Sequence, residues 1–332
     1  MDERGNAAWT LALLSVTLSE LVTASTLPRG FYNPLFFLLL LGMYGGGVLL
    51  VREFVVRLHK GPASLIAAGL AYAVLEEALV LRSWFDPNYP NVQGLGWYGR
   101  VFEVNALWAL WVTPLLALIS TAIPIFLTDL LFPEIRGKPL LGRRALLFPA
   151  VSLAAVFGVT RLLPQTYATG PIEYAFAAVL AAALVGAAYK LPRGAIGPRA
   201  TAPPRRAWPF MIFGGVWCAL DFFLYSLGPA LGYHPIFSVL MMVAAPTVGL
   251  IVLQRFLPPA TLQQHLFLFF VGVMGFFAAM DILRGLAGGP LGLLGVGIGF
   301  MIFATAIYRD LWPADGKVPS AAPGSPPPPA AS

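Results

Sequence analysis

Ten stretches of about 20 mostly apolar residues follow one another along the chain, with polar segments between them. A helix of this length crosses the hydrocarbon core of a bilayer and satisfies its own backbone hydrogen bonds there. The predicted helices cover about 8–27, 34–54, 62–82, 104–128, 145–163, 171–189, 208–227, 234–254, 264–284 and 290–308. The sequence therefore predicts an all-α, polytopic transmembrane bundle of about ten helices.

The composition excludes a soluble globular protein. Hydrophobic residues make up 58% of the chain and charged residues only 11%, whereas soluble domains carry roughly 25% charged residues. The net charge of +6 does not indicate nucleic-acid binding, because the basic residues lie in short loops between apolar spans. The single cysteine, Cys218, excludes an intrachain disulfide and a thiolate metal cluster. We expect the lipid bilayer as the main partner, and no metal or cofactor.

The distribution of basic residues predicts the orientation. With both termini in the cytoplasm, 16 of the 21 lysines and arginines fall on the cytoplasmic side, as the positive-inside rule requires. The predicted location is the cell (plasma or inner) membrane.

An internal repeat is indicated by sliding the sequence against itself by 201 residues, which pairs residues 20–54 with 221–255. The acidic, proline and tyrosine matches in this register are Glu20 with Asp221, Pro28 with Pro229, Tyr32 with Tyr233, and Pro34 with Pro235. We predict two parallel pseudo-repeats, helices 1–4 and helices 7–10, an arrangement common in transporters.

The repeat sets the expected domain organisation. Within a transmembrane domain of residues 1–317, repeat A covers about 8–133 and repeat B about 208–313. Helices 5 and 6 (about 145–189) and a basic cytoplasmic linker (190–207) lie between them. The Pro/Ala-rich tail 318–332 has no apolar face to bury and is predicted to be disordered in the cytoplasm.

Ionisable residues within the spans collect at one depth, in the predicted outer half of the bilayer. Charges inside a bilayer are costly and commonly functional. The candidate residues for binding a solute or an ion are Glu20, Glu76, Glu77, Asp221, Arg82, Asp281, Arg284 and Arg100. The predicted inner halves hold little charge beyond interfacial residues such as Asp129. A structural interpretation, in which the charges pair at helix ends, is also open.

Two further segments each allow two interpretations. The aromatic loop 83–103 lies at the membrane interface as an aromatic belt, or folds over the acidic residues as a lid. The glycines Gly42, Gly45, Gly46 and Gly47 let helix 2 pack closely on a neighbour, or let it unwind beside a substrate.

The segment Glu76-Glu77-Ala-Leu-Val-Leu-Arg82 resembles the EExxxR motif of the CAAX-processing glutamate intramembrane proteases. In that family a helix glutamate, helped by histidines, activates water. Here the spacing is one residue longer, and the family's FxxxH motif is not found.

A second resemblance covers about the first 135 residues. Glu20, Asn33-Pro34, Glu76-Glu77, Phe85-Asp86-Pro87 and Tyr98-Gly99-Arg100 are similar to a group of bacterial and archaeal integral membrane proteins of no known function. This similarity implies a polytopic membrane protein and supplies no chemistry.

Three functions are open from the sequence. The first is a permease in which Glu20, Glu76, Glu77 and Asp221 bind a proton, a cation or a small polar solute. The second is a membrane-embedded hydrolase or lipid-modifying enzyme with Glu76 or Glu77 as general base. The third is a non-catalytic subunit of a membrane complex, as a homo-oligomer or with a partner protein.

Overall fold

The computed structural model describes residues 2–92, 95–162, 167–197 and 206–313, and these residues form a helical bundle. Its long helices are α1 (Glu3–Val16, continued by a π-helical turn Thr17–Leu21), α2 (Pro34–Arg57), α3 (Pro62–Val80), α4 (Ala106–Leu131), α5 (Leu147–Leu162), α6 (Pro171–Lys190), α7 (Trp208–Ala230), α8 (Pro235–Phe256), α9 (Leu262–Leu286) and α10 (Leu291–Leu311). The predicted all-α polytopic architecture is confirmed, and eight of the described helices are long and apolar enough to span a membrane.

Smaller elements lie in the connections. Single helical turns occur at Pro28–Phe31, Pro133–Ile135 and Pro259–Thr261. The strands β1 (Arg100–Val101) and β2 (Val104–Asn105) form a short antiparallel hairpin directly before α4.

Local sequence signals set where several helices begin. Proline stands in the first turn of α2, α3, α6 and α8, where its missing N–H costs little. The Asn33 side chain caps α2 by accepting hydrogen bonds from the amides of Leu35 and Phe36 (3.1 and 3.2 Å). Asn105 caps α4 by accepting from the Trp108 amide (3.0 Å).

Two predicted helix ends differ from the structure, by about six residues in α1 and by two in α4. α1 ends at Leu21 rather than near residue 27, because Ala24 takes a positive φ (53°) and the chain turns into the Pro28–Phe31 turn. α4 begins at Ala106 rather than at 104, because the hairpin uses the two preceding residues.

The helices form two packed groups joined through α4. α1 packs on α2 and α4, and α3 packs on α2, α4 and α6, while α5 lies along α2. In the second group α9 packs between α7 and α10, and α8 lies against α7 and α4. Across the junction the Trp111 ring stacks on Tyr225 (6.3 Å between centroids) and meets Phe222 edge-on (5.8 Å).

The glycine run of α2 packs closely on a neighbouring helix, and part of it departs from regular α-helical geometry. Its first part adopts a π-helical turn, Leu41–Gly45. Immediately after it, Gly47 lies directly under the ring of Tyr72 from α3, so closely that a Cβ there would lie 2.0 Å from the ring atom Cε2.

We call the end of the bundle that carries Glu20, Glu76 and Glu77 the acid end, and the opposite end, with Arg52 and Arg57 of α2, the basic end. Charged side chains are buried at the basic end, beside the predicted interfacial residue Asp129. Arg52 is 1% exposed and its Nη2 lies 2.9 Å from Asp129 Oδ1. Glu53 is also buried, accepts the amide hydrogen of Leu140 (2.6 Å), and pairs with Arg57 (2.7 Å). These charges hold the segment 138–141 across the ends of α2 and α4.

The internal repeat and the domain limits derived from it stay predictions. α1 packs along α2 and α4, whereas its proposed counterpart α7 packs mainly along α9. The tail 318–332 and much of the linker 190–207 lie outside the described residues.

Candidate functional site

Each of the four helices α1 to α4 contains a π-helical turn. The turns are Thr17–Leu21, Leu41–Gly45, Leu75–Val80 and Ala117–Ala122. A π-helical turn inserts one extra residue into an α-helix, displaces carbonyl groups from the regular hydrogen-bond ladder, and is frequent at functional sites. Two of the four turns hold the glutamates predicted to bind a ligand, Glu20 in α1 and Glu76 with Glu77 in α3.

The π-helical turn of α2 is fixed by hydroxyl groups from three other helices. Each of three consecutive carbonyl oxygens in the turn accepts a hydrogen bond: Gly42 from Ser152 of α5 (3.0 Å), Met43 from Tyr72 of α3 (3.0 Å), and Tyr44 from Ser15 of α1 (3.4 Å). Ser15 also lies 2.7 Å from the Ser120 carbonyl in the turn of α4. Tertiary contacts therefore determine this irregular backbone and position the Tyr44 side chain.

Glu20 is buried, with 7% of its surface exposed, and both of its carboxylate oxygens accept a hydrogen bond. The Tyr44 hydroxyl donates to Oε1 (2.6 Å) and the Thr26 hydroxyl donates to Oε2 (2.5 Å). Thr26 reaches this position because the chain turns back after α1, where its amide bonds to the Glu20 carbonyl (3.0 Å). Donors on both oxygens stabilise a charged carboxylate.

Glu77 is 4% exposed and is bound by a short relay of donors. The Ser83 hydroxyl donates to Glu77 Oε2, and the Trp108 indole Nε1–H donates to Ser83 Oγ (2.9 Å). Ser83 reaches back because Arg82, with φ +60°, ends α3 in the left-handed conformation. The Ser83 amide then bonds to the Glu77 carbonyl (2.8 Å).

Glu76 is completely buried, and neither of its carboxylate oxygens has a hydrogen-bond partner among the described residues. The hydroxyls of Tyr44 and Tyr72 are near enough to interact with its charge. Each hydroxyl has only one proton, and these protons go to Glu20 and to the Met43 carbonyl. The carboxyls of Glu20 and Glu77 also lie within electrostatic range of Glu76. We call Glu20, Glu76 and Glu77 together the glutamate cluster.

The segment between α3 and α4, here called the covering segment, lies over the glutamate cluster at the acid end of the bundle. Trp84, Phe85 and Val92 are buried in it, and the Tyr89 ring packs near Trp108 (6.3 Å). Burial, and next the charge of Glu77, raise the pKa of the Tyr89 hydroxyl well above its usual value. The hairpin at the tip of this segment stays exposed, and Phe102 is 94% exposed. One part of the segment thus lies over the cluster, while its tip presents aromatic side chains outward.

The predicted arginines lie beside the cluster rather than in it. The Arg82 guanidinium is buried and donates to the Thr160 carbonyl of α5 at 3.4 Å. Arg100 donates to the Phe85 carbonyl (2.9 Å) and pairs with Glu103 (3.1 Å), and so holds the covering segment together. Within the described residues no lysine or arginine pairs with a carboxylate of the cluster.

The predicted aspartates lie on the second group of helices. Asp221 of α7 is half-buried beside Cys218, and its Oδ1 has no partner among the described residues. Asp281 of α9 is buried near the charge of the exposed Arg284. The structure therefore brings Glu20, Glu76 and Glu77 together and places Asp221, Asp281 and Arg284 on a different pair of helices.

The hydroxyl and indole groups around the cluster were not predicted from the sequence; they belong to Tyr44, Tyr72, Thr26, Ser83 and Trp108. Their signal is a hydroxyl or indole group in or beside an otherwise apolar span, and it is weaker than the signal of a charge. In the described part of the chain no three His, Cys, Asp or Glu side chains are arranged to hold a metal ion.

Comparison with known proteins agrees with the sequence resemblance. No curated protein and no solved structure matches the chain. Residues 10–281, from α1 to α9, match an uncharacterized membrane protein family. The resemblance to a group of polytopic membrane proteins of no known function is confirmed, and the chain belongs to this uncharacterized membrane protein family.

Proposed function

We propose that this protein is a multi-pass permease whose coupling proton or cation binds at Glu76, between Glu20 and Glu77. One observation carries the proposal: Glu76 is completely buried and neither of its carboxylate oxygens has a hydrogen-bond donor among the described residues, while Glu20 and Glu77 each accept a hydrogen bond from a hydroxyl group. A structural carboxyl in the same bundle is expected to be paired, as Asp129 is with Arg52.

Charge balance supports this proposal. Three carboxyl groups lie close together in a membrane bundle, and their donors in the described residues are neutral hydroxyl and indole groups. Burying an uncompensated carboxylate is costly, so the missing positive charge has to come from a bound proton or cation. Gain and loss of that charge is how many membrane carriers couple to an ion.

Closure at both ends also favours a carrier. The segment with Trp84 and Phe85 covers the cluster at the acid end, and the buried Arg52–Asp129 pair holds residues 138–141 across the basic end. A site separated from both sides is what an occluded carrier state requires. An enzyme acting on lipid or peptide needs a carboxylate that its substrate can reach from one face.

The first test is infrared difference spectroscopy of the protein in lipid nanodiscs during a pH change, with Glu76→Gln compared with the wild type. We expect a protonated-carboxyl band in the wild type that disappears in Glu76→Gln. Glu103→Gln is the matched control, because its side chain is 61% exposed and pairs only with Arg100 at the surface. An unchanged band in Glu76→Gln overturns the assignment of the bound proton to this residue.

The second test measures transport by solid-supported-membrane electrophysiology on proteoliposomes, with concentration jumps of protons, alkali cations, polyamines and amino acids. Losing a charge-assisted contact of about 1.5–3 kcal/mol weakens binding roughly ten- to a hundredfold, so Glu76→Gln is expected to lose the current that Glu103→Gln keeps. Wild-type protein that gives no current with any of these solutes contradicts the permease, and it favours a subunit role or a membrane enzyme.

We propose that the protein lies in the cell membrane, with both termini in the cytoplasm and the basic end of the bundle on the cytoplasmic side. The distribution of 16 of the 21 lysines and arginines supports this placement. A reporter enzyme that is active only outside the cytoplasm, fused after residue 313, tests this orientation. We expect the fusion to be inactive, and an active fusion would place the C-terminus outside.

A further inference from the structure

An apolar groove runs between α7 and α8 at the basic end, with a volume of about 360 Å³. Its walls are formed by Phe210 and Phe213 of α7 and by Val252 and Leu253 of α8, and Arg206 lies at its mouth. The groove lies at the basic end because the opposite ends of α7 and α8, where the two helices are connected, lie at the acid end. There, Tyr98 of the covering segment bonds to the Tyr233 carbonyl (2.7 Å) in the α7–α8 connection.

The residues around the groove indicate that it extends from headgroup depth into the hydrocarbon. The mouth lies next to Trp208, which begins α7 and is 53% exposed, and tryptophan is enriched at the membrane interface. Phe213 lies five residues beyond Trp208 in α7, or roughly 8 Å along the helix axis. The charged part of the groove is therefore interfacial, and its aromatic part lies deeper.

Two arginines lie at this end of the helices that form the groove, one of them lining it. Arg255, in the last turn of α8, is exposed beside the lining residue Phe256, and Arg206 is exposed at the start of α7. The first turn of α7 adds the positive end of a helix dipole, and its N-cap residue Ala207 supplies no side-chain acceptor. A phosphodiester with attached acyl chains matches this combination of cationic mouth and apolar walls.

We propose that this groove is a binding site for an anionic phospholipid, with an acyl chain between α7 and α8 and its phosphate beside Arg206 and Arg255. Basic pockets between transmembrane helices bind anionic headgroups in this way. The site lies on the second group of helices and does not depend on transport by the glutamate cluster.

Native mass spectrometry of the detergent-purified protein tests the proposal, with equimolar phosphatidylglycerol and phosphatidylcholine added. We expect the wild type to retain phosphatidylglycerol preferentially. Arg206→Gln and Arg255→Gln should each lower that preference by about fivefold, the contribution of one basic side chain near a surface. Arg136→Gln is the control, because Arg136 is an exposed arginine outside the groove.

A second variant, Val252→Trp, fills the groove without changing its charge. It is expected to lose the retained phospholipid while keeping the size-exclusion profile of the wild type. Equal retention of both lipids by the wild type overturns the proposal, as does unchanged preference in the double variant R206Q/R255Q. A wild-type dimer that Val252→Trp converts to a monomer would also overturn it, by assigning the groove to a second copy of the chain. The charge variants suffice if Val252→Trp does not fold, because both arginines are exposed.

Discussion

The buried charge at the basic end gives the most demanding prediction for stability. Arg52 of α2 is 1% exposed and makes two contacts with other parts of the chain. Its Nη2 pairs with Asp129 of α4 (2.9 Å), and its Nη1 donates to the Lys138 carbonyl (3.0 Å). In Arg52→Gln the glutamine side chain is too short to keep both contacts, and Asp129 loses its cationic partner.

The size of the effect follows from the exposure of the two partners. Removing one partner of a fully buried ion pair costs about 3–5 kcal/mol. The Asp129 side chain is 23% exposed, so water solvates part of the charge that is left behind. We therefore expect Arg52→Gln to lower the free energy of unfolding by about 2–3 kcal/mol. Arg52→Lys keeps the charge but loses the two-pronged geometry and should lose about 1 kcal/mol.

Reversible unfolding in mixed micelles, followed by tryptophan fluorescence, measures these differences, since the chain contains eight tryptophans. A double-mutant cycle with Asp129→Asn isolates the pair. Arg136→Gln, an exposed arginine in the neighbouring segment, should stay within about 0.5 kcal/mol of the wild type. A loss below about 0.5 kcal/mol for Arg52→Gln, or no coupling in the cycle, would refute the argument from burial.

Two further predictions use the same unfolding measurement. Gly47→Ala places a Cβ 2.0 Å from Tyr72 Cε2, so the ring must move, and a loss of about 1–3 kcal/mol is expected. Gly186→Ala, with open space around the new methyl group, is the control, and equal stability of the two variants would contradict the close packing. Ser15→Ala removes the donor to the buried Ser120 carbonyl (2.7 Å) and should cost about 1 kcal/mol, whereas an unchanged stability would show that this contact contributes nothing.

The helical architecture was predictable because a bilayer leaves a chain few alternatives. Apolar length identifies a span, and prolines such as Pro34 and Pro235 mark where a helix begins. The π-helical turn of α2 was not predictable, because the hydroxyl groups that bind its carbonyl oxygens come from other helices. The turn in α2 depends on Ser15 of α1 and Tyr72 of α3, so the sequence of α2 alone does not specify it.

The sequence predicts a depth for each candidate residue but not which of these residues lie together. Distance along a span gives the depth of a residue, and it placed Glu20, Glu76 and Asp221 in the same layer. Which of these residues meet depends on how the helices pack, and that is a non-local property. Asp221 was predicted at the same depth as the glutamate cluster, but it lies on α7, which packs mainly along α9.

The proposed repeat does not duplicate the residues of the glutamate cluster. In the register that pairs Glu20 with Asp221, the partner of Tyr44 is Ala245, so the second copy has no hydroxyl to donate to its acid. The partners of Glu76 and Glu77, at the shift of 202 seen for α3 and α9, are Ala278 and Ala279. A repeat, if the chain has one, therefore carries its cluster in the first copy alone. Exchange of Asp221 for Asn should accordingly leave the infrared band of Glu76 unchanged, whereas a symmetric two-copy site requires that band to change.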